Sequence, residues 1–219
     1  MPVKNIYILI CFSALIFACG KKSEPKQTKD RSLPYLGEPA ITSHEENGKL
    51  VADTIYPTIP AFSFVNQDGE KVTNETFDGG IYVADFFFTT CPTICPKMKA
   101  ELLRVYKEFE KEPKVKILSH TIDPDHDSVE VLYDYAGKLQ VTSPKWNFVT
   151  GNKDSIYTIA DSYMISAEEA PNEPGGYIHS GALILIDHNR NIRGMYDGTR
   201  PEDVDQLIKD IPVLLREIK

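Results

Sequence analysis

The sequence predicts an α/β domain in which helices flank a mixed central β-sheet, with a hairpin extension at the N-terminal side. Three observations carry this prediction. Strand-like segments alternate with amphipathic helical segments, two apolar segments near the end are joined by a tight turn at 187–190, and an amphipathic helix closes the chain. Strands joined through helices favour parallel pairing, whereas strands joined by a tight turn favour antiparallel pairing. A sheet with both kinds of connection is therefore expected to be mixed.

The elements are predicted in chain order from local patterns. Residues 62–65 and 71–73 flank a turn signal at 66–69, which predicts a hairpin. The nearly continuous apolar run at 81–88 is typical of a central strand buried on both faces. Residues 98–109 have helical periodicity. The remaining predicted elements are a strand at 115–122, a helix from a cap at Asp127 or Ser128 to about 139, a strand at 146–149, a helix at 154–163, strands at 182–186 and 192–196, and a helix at 201–217.

The first residues predict an export signal. Lys4 precedes an apolar run of thirteen residues at 6–18, which is too short for a membrane-spanning helix and suits a signal peptide. The run ends at Cys19 in a lipobox-like sequence, so we expect a lipoprotein signal peptide at 1–18 and lipidation of Cys19. An uncleaved N-terminal anchor is the alternative. Both place the domain in a bacterial cell envelope, outside the cytoplasm and attached to a membrane.

The rest of the chain divides by composition. The polar composition of residues 19–34 predicts a flexible tether. We expect an irregular extension or a short hairpin at 35–59 and the folded domain at 60–219. The net charge is −8 and the sequence contains no basic block, which argues against a nucleic-acid partner.

Two cysteines remain in the predicted domain. The chain has four cysteines, and only Cys91 and Cys95 lie beyond the signal and lipobox. A secreted domain that relied on disulfides would carry more pairs, so this pair favours chemistry over structural cross-linking. Residues at i and i+4 share one face of a helix, where two thiolates can hold one soft metal ion or oxidise to a disulfide. A helix N-terminus is expected to lower the pKa of both thiols. The spacing alone leaves metal binding and redox chemistry open.

Three motifs resemble the Sco/SenC family. They are the segment 86–96 around the two cysteines, the segment 121–128 with a following helix and the sequence 146–151, and the segment 177–180 before a strand that ends at Asp187. The resemblance covers roughly 60–219. It implies a thioredoxin-like fold and a function in delivering copper to the binuclear copper site of cytochrome c oxidase, or in reducing the cysteines of that site. One departure is His126, where the family commonly has an arginine.

The resemblance implies that Cys91, Cys95 and His179 bind copper as Cu(I), Cu(II) or both. Two thiolates and an imidazole suit Cu(I), and Cu(II) can add an oxygen ligand. Zinc is the competing metal, but a structural zinc site needs four protein ligands. Asp123 is a candidate for an additional ligand or for a residue that supports the ligands; the alternative is a polar loop that caps a helix.

The other residues of interest receive more ordinary interpretations. His120 is expected to be packed or hydrogen-bonded, His126 to be exposed, and Met98 and Met195 to pack in the core. The polar segment 166–176 before His179 is expected to be a long loop that closes on the metal, contacts a partner or is merely solvated.

Two functions therefore compete. The first is a membrane-tethered copper metallochaperone whose partners are the copper-site subunit of cytochrome c oxidase and an upstream copper donor or thiol reductant. The second is a thiol-disulfide reductase that acts on oxidase cysteines or other exported proteins. A thiol peroxidase is a weaker third hypothesis, because no peroxidatic motif surrounds Cys91.

Overall fold

The structure is a computed structural model that describes residues 32–218, so the predicted signal peptide and Cys19 lie outside the described residues. The elements, in chain order, are β1 Ala40–Glu46, β2 Lys49–Ile55, β3 Ser63–Asn66, β4 Lys71–Thr73, a short 3₁₀ turn Asn74–Phe77, β5 Ile81–Phe87, α1 Cys95–Glu108, β6 Val115–Thr121, α2 Val129–Leu139, β7 Trp146–Thr150, α3 Lys153–Ser162, β8 Ala167–Glu169, β9 Tyr177–His179, β10 Ala182–Ile186, β11 Ile192–Asp197 and α4 Pro201–Leu215.

Seven strands form one mixed sheet in the order β11-β10-β5-β6-β7-β3-β4. The three strands at its centre, β5, β6 and β7, are parallel, whereas β10, β11, β3 and β4 pair antiparallel. The predicted mixed sheet is therefore confirmed. The parallel strands are joined through helices and the antiparallel edges through turns, as the connection lengths require.

Strand β5 is the centre of the core, and all seven of its residues are buried. Helix α1 packs its apolar stripe, which includes Met98, Leu102 and Val105, into the same core. A strand buried on both faces followed by an amphipathic helix explains the apolar run and the helical periodicity in this part of the sequence.

The direction of β10 brings two distant segments together. Strand β10 pairs antiparallel with β5, with Ile184 opposite Ala84. The residues that precede β10 therefore lie at the same end of the sheet as the residues that follow β5. The cysteine segment, residues 88–95, follows β5 at this end of the sheet, and the histidine segment, residues 177–179, precedes β10 at the same end.

Two small hairpins lie outside the main sheet. Strands β1 and β2 form an exposed antiparallel pair within 40–55, so the short hairpin is the one of the two expected alternatives that the structure contains. Strands β8 and β9 form the second pair, with Ala167 opposite His179. The polar segment before His179 is thus partly a strand rather than a continuous loop. Within the described residues, no helix combines the length and the apolar character needed to cross a membrane.

Candidate metal centre

The two cysteines occupy the turn from β5 into α1. Cys91 lies in the turn, where its N–H donates to the carbonyl of Phe88 at 3.2 Å, and Cys95 is the first residue of α1. Both thiols are free, and the residues are 8% and 2% exposed. Pro96 follows at the second helical position, where its missing N–H is not needed. The helix therefore begins at one sulfur and places the other just ahead of its N-terminus.

His179 ends strand β9 and points one ring nitrogen at the second cysteine. Its Nε2 lies 3.2 Å from Sγ of Cys95, and its Nδ1 lies 3.0 Å from the carbonyl oxygen of Ser180. A carbonyl only accepts hydrogen bonds, so Nδ1 must donate and therefore carry the proton of the neutral ring. Burial lowers the pKa of His179, partly opposed by the bond to Ser180. The neutral imidazole consequently presents the lone pair of Nε2 toward the cysteines, as a metal ligand must.

The three side chains form one compact cluster. The Sγ atoms of Cys91 and Cys95 and the nearest ring nitrogen of His179 all lie within 4.8 Å of one another, and all three residues are buried. Across residues 32–218 this is the one group of three or more His, Cys, Asp or Glu side chains with such an arrangement. Two soft sulfurs and one imidazole nitrogen match the preference of Cu(I), while a closed structural zinc site would need a fourth protein ligand.

The two thiols differ in acidity. Burial would raise the pKa of Cys91, but hydrogen bonds from the backbone N–H groups of Thr93 and Cys95 outweigh it and leave the pKa below its ordinary value. Burial dominates at Cys95 and raises its pKa, despite a backbone hydrogen bond at Phe88 and the charge of Lys99. The expectation that the helix N-terminus lowers both pKa values is therefore wrong for Cys95, because that thiol is deeper in the core.

A cavity of about 230 Å³ opens over Cys91 and His179. The turn between β8 and β9 covers part of it through Glu173 and Pro174. Gly175 closes this turn with φ +89°, and a Cβ at that position would lie 2.7 Å from Cε2 of Phe88. Only glycine allows the turn to approach the cysteine segment this closely.

Asp123 lies beside this cluster and is not part of it. The residue is 9% exposed, and its carboxylate accepts a hydrogen bond from the hydroxyl of Tyr177 at 2.9 Å. Tyr177 is two residues before His179 in the same strand. The structure thus places Asp123 where it supports the histidine segment, and its carboxylate is not among the clustered ligand atoms.

The remaining candidates are not among the clustered ligands. His120 is fully buried among aromatic rings, and the His126 side chain is 50% exposed with Nδ1 2.9 Å from the carboxylate of Asp127. Met98 is buried in the core, as expected. Met195 is 36% exposed and lines a separate surface groove, so the expectation that it packs in the core is wrong.

Sequence patterns did not indicate the hydrogen bonds that hold the chain just before Cys91 and just before His179. The carboxylate of Asp127 binds Thr89, and the hydroxyl of Tyr177 binds Asp123. The first pair is 38 residues apart and the second 54 residues apart. Nothing in local periodicity identifies partners at such separations.

Known proteins resemble this chain over most of its length. The family model described as SCO1/SenC matches residues 53–216. The crystal structure of a SCO1/SenC family lipoprotein from Bacillus anthracis is 30% identical in sequence, with a TM-score of 0.66 over 72% of this chain and 94% of that chain.

Two other solved structures connect the fold to copper and to redox change. Arabidopsis thaliana ScoI, solved with copper bound, is 25% identical with a TM-score of 0.61 over 72% of this chain and 98% of that chain. BsSco, a member of the Sco family of cytochrome c oxidase assembly proteins in which a disulfide switch was identified, is 27% identical with a TM-score of 0.64 over 73% of this chain and 94% of that chain.

These matches confirm the predicted thioredoxin-like fold, since the mixed sheet and flanking helices are shared with the Sco structures. The family model covers three quarters of the chain, including both cysteines and His179. The chain therefore belongs to the SCO1/SenC family.

Proposed function

We propose that this protein is a copper metallochaperone, tethered to a bacterial membrane through Cys19, that delivers copper to the binuclear copper site of cytochrome c oxidase. The copper-site subunit of the oxidase is the proposed acceptor. An upstream copper donor loads the cysteines and histidine of this protein, or a thiol reductant keeps its cysteines reduced. The single observation that carries the proposal is the cluster of Cys91, Cys95 and His179, with ligand atoms within 4.8 Å of one another. Relatives described as copper-bound and as oxidase assembly proteins support it.

The chemistry of the cluster suits a cargo that must be passed on. Three ligands satisfy Cu(I) without enclosing it, so an incoming thiolate or imidazole of the acceptor can enter as a further ligand before a resident one leaves. The neutral imidazole needs no deprotonation, and Cys91 loses its proton more readily than a free thiol because of its lowered pKa. The raised pKa of Cys95 makes copper binding release a proton from that thiol.

The ligand set is tested by replacing the imidazole. We expect His179→Ala to lower the Cu(I) affinity of the reduced protein by about tenfold or more, because loss of a metal ligand costs more than about 1.4 kcal/mol. His44→Ala is the matched control, since His44 lies in the exposed β1–β2 hairpin. Affinity is measured by competition with a chromophoric Cu(I) chelator, and zinc is added as the competing metal. Equal affinity of His179→Ala and the parent protein would show that the three-ligand site is wrong.

A second candidate function is thiol-disulfide reduction of oxidase cysteines or of other exported proteins. The difference in thiol pKa favours it, because a reductase needs one thiol that attacks and one buried thiol that resolves the mixed disulfide. In each turnover, Cys91 and Cys95 together give two electrons and two protons to a substrate disulfide and become a disulfide themselves. Regeneration requires an external dithiol reductant.

The two functions separate at His179. A reductase requires both cysteines and does not require the imidazole, whereas the proposed chaperone requires all three. A His179→Ala protein that still reduces a model disulfide at the parent rate but has lost tight copper binding therefore assigns the histidine to the chaperone function. Restoration of oxidase assembly by this variant in cells that lack the protein would favour the reductase.

A further inference from the structure

Asp127 is a buried carboxylate that fastens the chain just ahead of the first cysteine. Its side chain is 0% exposed and accepts hydrogen bonds from the N–H of Thr89 at 3.0 Å and from Nδ1 of His126 at 2.9 Å. The hydroxyl groups of Thr89 and Thr121 also donate to it. Thr89 stands two residues before Cys91, so the loop after β6 holds the segment that delivers the first sulfur.

The same loop holds the histidine segment through Asp123. The N–H of Asp127 donates to the carbonyl oxygen of Asp123 at 2.8 Å, and the carboxylate of Asp123 accepts from Tyr177 at 2.9 Å. Tyr177 stands two residues before His179. A continuous path of hydrogen bonds therefore runs from Thr89 through the loop to Tyr177. The segment before Cys91 and the segment before His179 are thus both hydrogen-bonded to the loop 123–127.

Helix capping does not account for the carboxylate of Asp127. Helix α2 begins at Val129, and its N-cap is Ser128, whose hydroxyl accepts from the N–H of Val131 at 3.4 Å. The carboxylate of Asp127 is directed to Thr89 and Thr121 instead, away from the first turn of the helix. A buried carboxylate with four donors is a costly arrangement unless all the donors are held in place.

We propose that Asp127 is a positioning residue of the metal centre: it holds the Cys91 segment against the loop that also holds the His179 segment, and so sets the separation of the sulfur and imidazole ligands. The proposal rests on the proposed function, because it assumes that these three side chains bind copper. Ligands that already lie within 4.8 Å of one another need little ordering when the metal arrives. Without the carboxylate, the binding step must supply that ordering.

The test compares Asp127→Asn with Asp125→Asn in the full-length reduced protein. Asparagine keeps the shape but turns an N–H₂ donor toward groups that are themselves donors. Asp125 lies in the same loop with a side chain 78% exposed, so its variant changes the charge equally without touching the bond path. We expect Asp127→Asn to lower Cu(I) affinity by about 10- to 100-fold, as for outer-shell partners of metal ligands. Asp125→Asn should bind as the parent does.

A spectrum distinguishes positioning from a general loss of stability. The thiolate-to-Cu(II) absorption bands report how the sulfurs and the imidazole are arranged around the metal, and we expect them to shift in Asp127→Asn and to stay unchanged in Asp125→Asn.

A second pair of variants, at Thr89, tests the same role in case Asp127→Asn does not fold. Thr89→Val removes the hydroxyl donor while keeping the shape, and Thr89→Ser keeps the donor; the first should weaken and shift copper binding, and the second should restore it.

The outcomes are distinct. If the parent protein itself binds no copper, the proposed function fails. If the parent binds copper and Asp127→Asn has the same affinity and the same absorption bands, with only its melting temperature lowered, the positioning role is overturned. If Asp127→Asn does not fold, equal affinity and spectra for Thr89→Val and Thr89→Ser overturn it in the same way.

Discussion

The ammonium group of Lys99 lies 2.6 Å from the carboxylate of Asp85, with side chains that are 2% and 0% exposed. Lys99 also donates to the hydroxyl of Ser119 at 3.0 Å, and that hydroxyl donates in turn to Asp85. Nε1 of Trp146 donates to the same oxygen at 2.9 Å. Lys99 is one helical turn beyond Cys95 on α1, so a hydrogen-bonded charge pair is buried near the second cysteine.

Replacing Lys99 alone should lower the free energy of unfolding far more than replacing Lys99 and Asp85 together. We expect Lys99→Met to destabilise the fold by about 3–5 kcal/mol, because it leaves the carboxylate of Asp85 buried without its cation. The double variant Asp85→Asn/Lys99→Met removes both charges and should recover a large part of that loss. Urea unfolding of the parent, the two single variants and the double variant measures the coupling. A double variant as unstable as Lys99→Met would contradict this account.

The difference in thiol pKa predicts selective modification. Cys91 has the lowered pKa and the greater exposure, whereas the thiol of Cys95 is raised in pKa and almost fully buried. Since the thiolate is the reactive form, iodoacetamide at neutral pH should modify Cys91 at least about tenfold faster than Cys95. Mass spectrometry of peptides from timed reactions of the reduced, metal-free protein gives both rates. Equal rates would mean that the cysteine turn opens faster than the reagent attacks.

The turn over the site predicts a contrast between neighbouring glycines. Gly175 and Gly176 have φ of +89° and +83°, but a Cβ would meet Phe88 only at Gly175, while nothing lies within 4 Å at Gly176. Alanine should cost about 1–2 kcal/mol at either position because of the left-handed backbone. Gly175→Ala should lose about 1–3 kcal/mol more through overpacking against Phe88.

Displacement of that turn has a measurable consequence at the metal centre. The turn forms one wall of the cavity over Cys91, so Gly175→Ala should speed alkylation of Cys91 by several-fold, and Gly176→Ala should leave the rate close to that of the parent. Thermal unfolding of the two variants gives the stability difference. The same alkylation rate and the same stability in both variants would show that the turn does not cover the thiol.

The positions of the cysteines could be predicted from the sequence because local patterns determine them. An apolar strand, two cysteines with prolines after them, and a helical stripe place the sulfurs at the strand-to-helix turn. His179 is singled out through the resemblance of the segment 177–180 to the Sco/SenC family, together with its place just before strand β10. Its proximity to the cysteines is implied by the resemblance to the Sco/SenC family, and the antiparallel pairing of β10 with β5, which local patterns do not predict, brings it about.

Other features depend on contacts that sequence patterns do not encode. The charge of Lys99 suggests a solvent-facing helical position, and only Asp85 on a neighbouring strand makes its burial favourable. Strand β8 is three residues long and carries two exposed glutamates, so the polar segment before His179 looks like a loop. The roles of Thr89 and Asp127 depend on a pairing across 38 residues.

His120 is the least satisfied polar side chain of the core. It is fully buried, and among the described residues neither ring nitrogen has a hydrogen-bond partner. Its ring stacks on Phe86 with centroids 4.9 Å apart, meets Phe64 in a T-shaped contact and lies tilted by 53° against Tyr163. Since an unsatisfied buried polar group costs about 1–3 kcal/mol, His120→Phe should stabilise the protein by about that amount at neutral pH.

The same residue predicts how stability changes with pH. Burial lowers the pKa of His120 to about 3 from an ordinary value of 6.5. Between pH 6.5 and pH 3, His120 is therefore protonated in the unfolded chain but neutral in the folded protein. Its protonation favours the unfolded state, and the free energy of unfolding falls as the pH decreases through this range. Each pH unit in that window costs about 1.4 kcal/mol. The stability advantage of His120→Phe over the parent should thus increase by about 2 kcal/mol between pH 7 and pH 5, as measured by urea unfolding of the metal-free proteins. An advantage of His120→Phe that stays constant with pH would mean that the imidazole takes up its proton in the folded core.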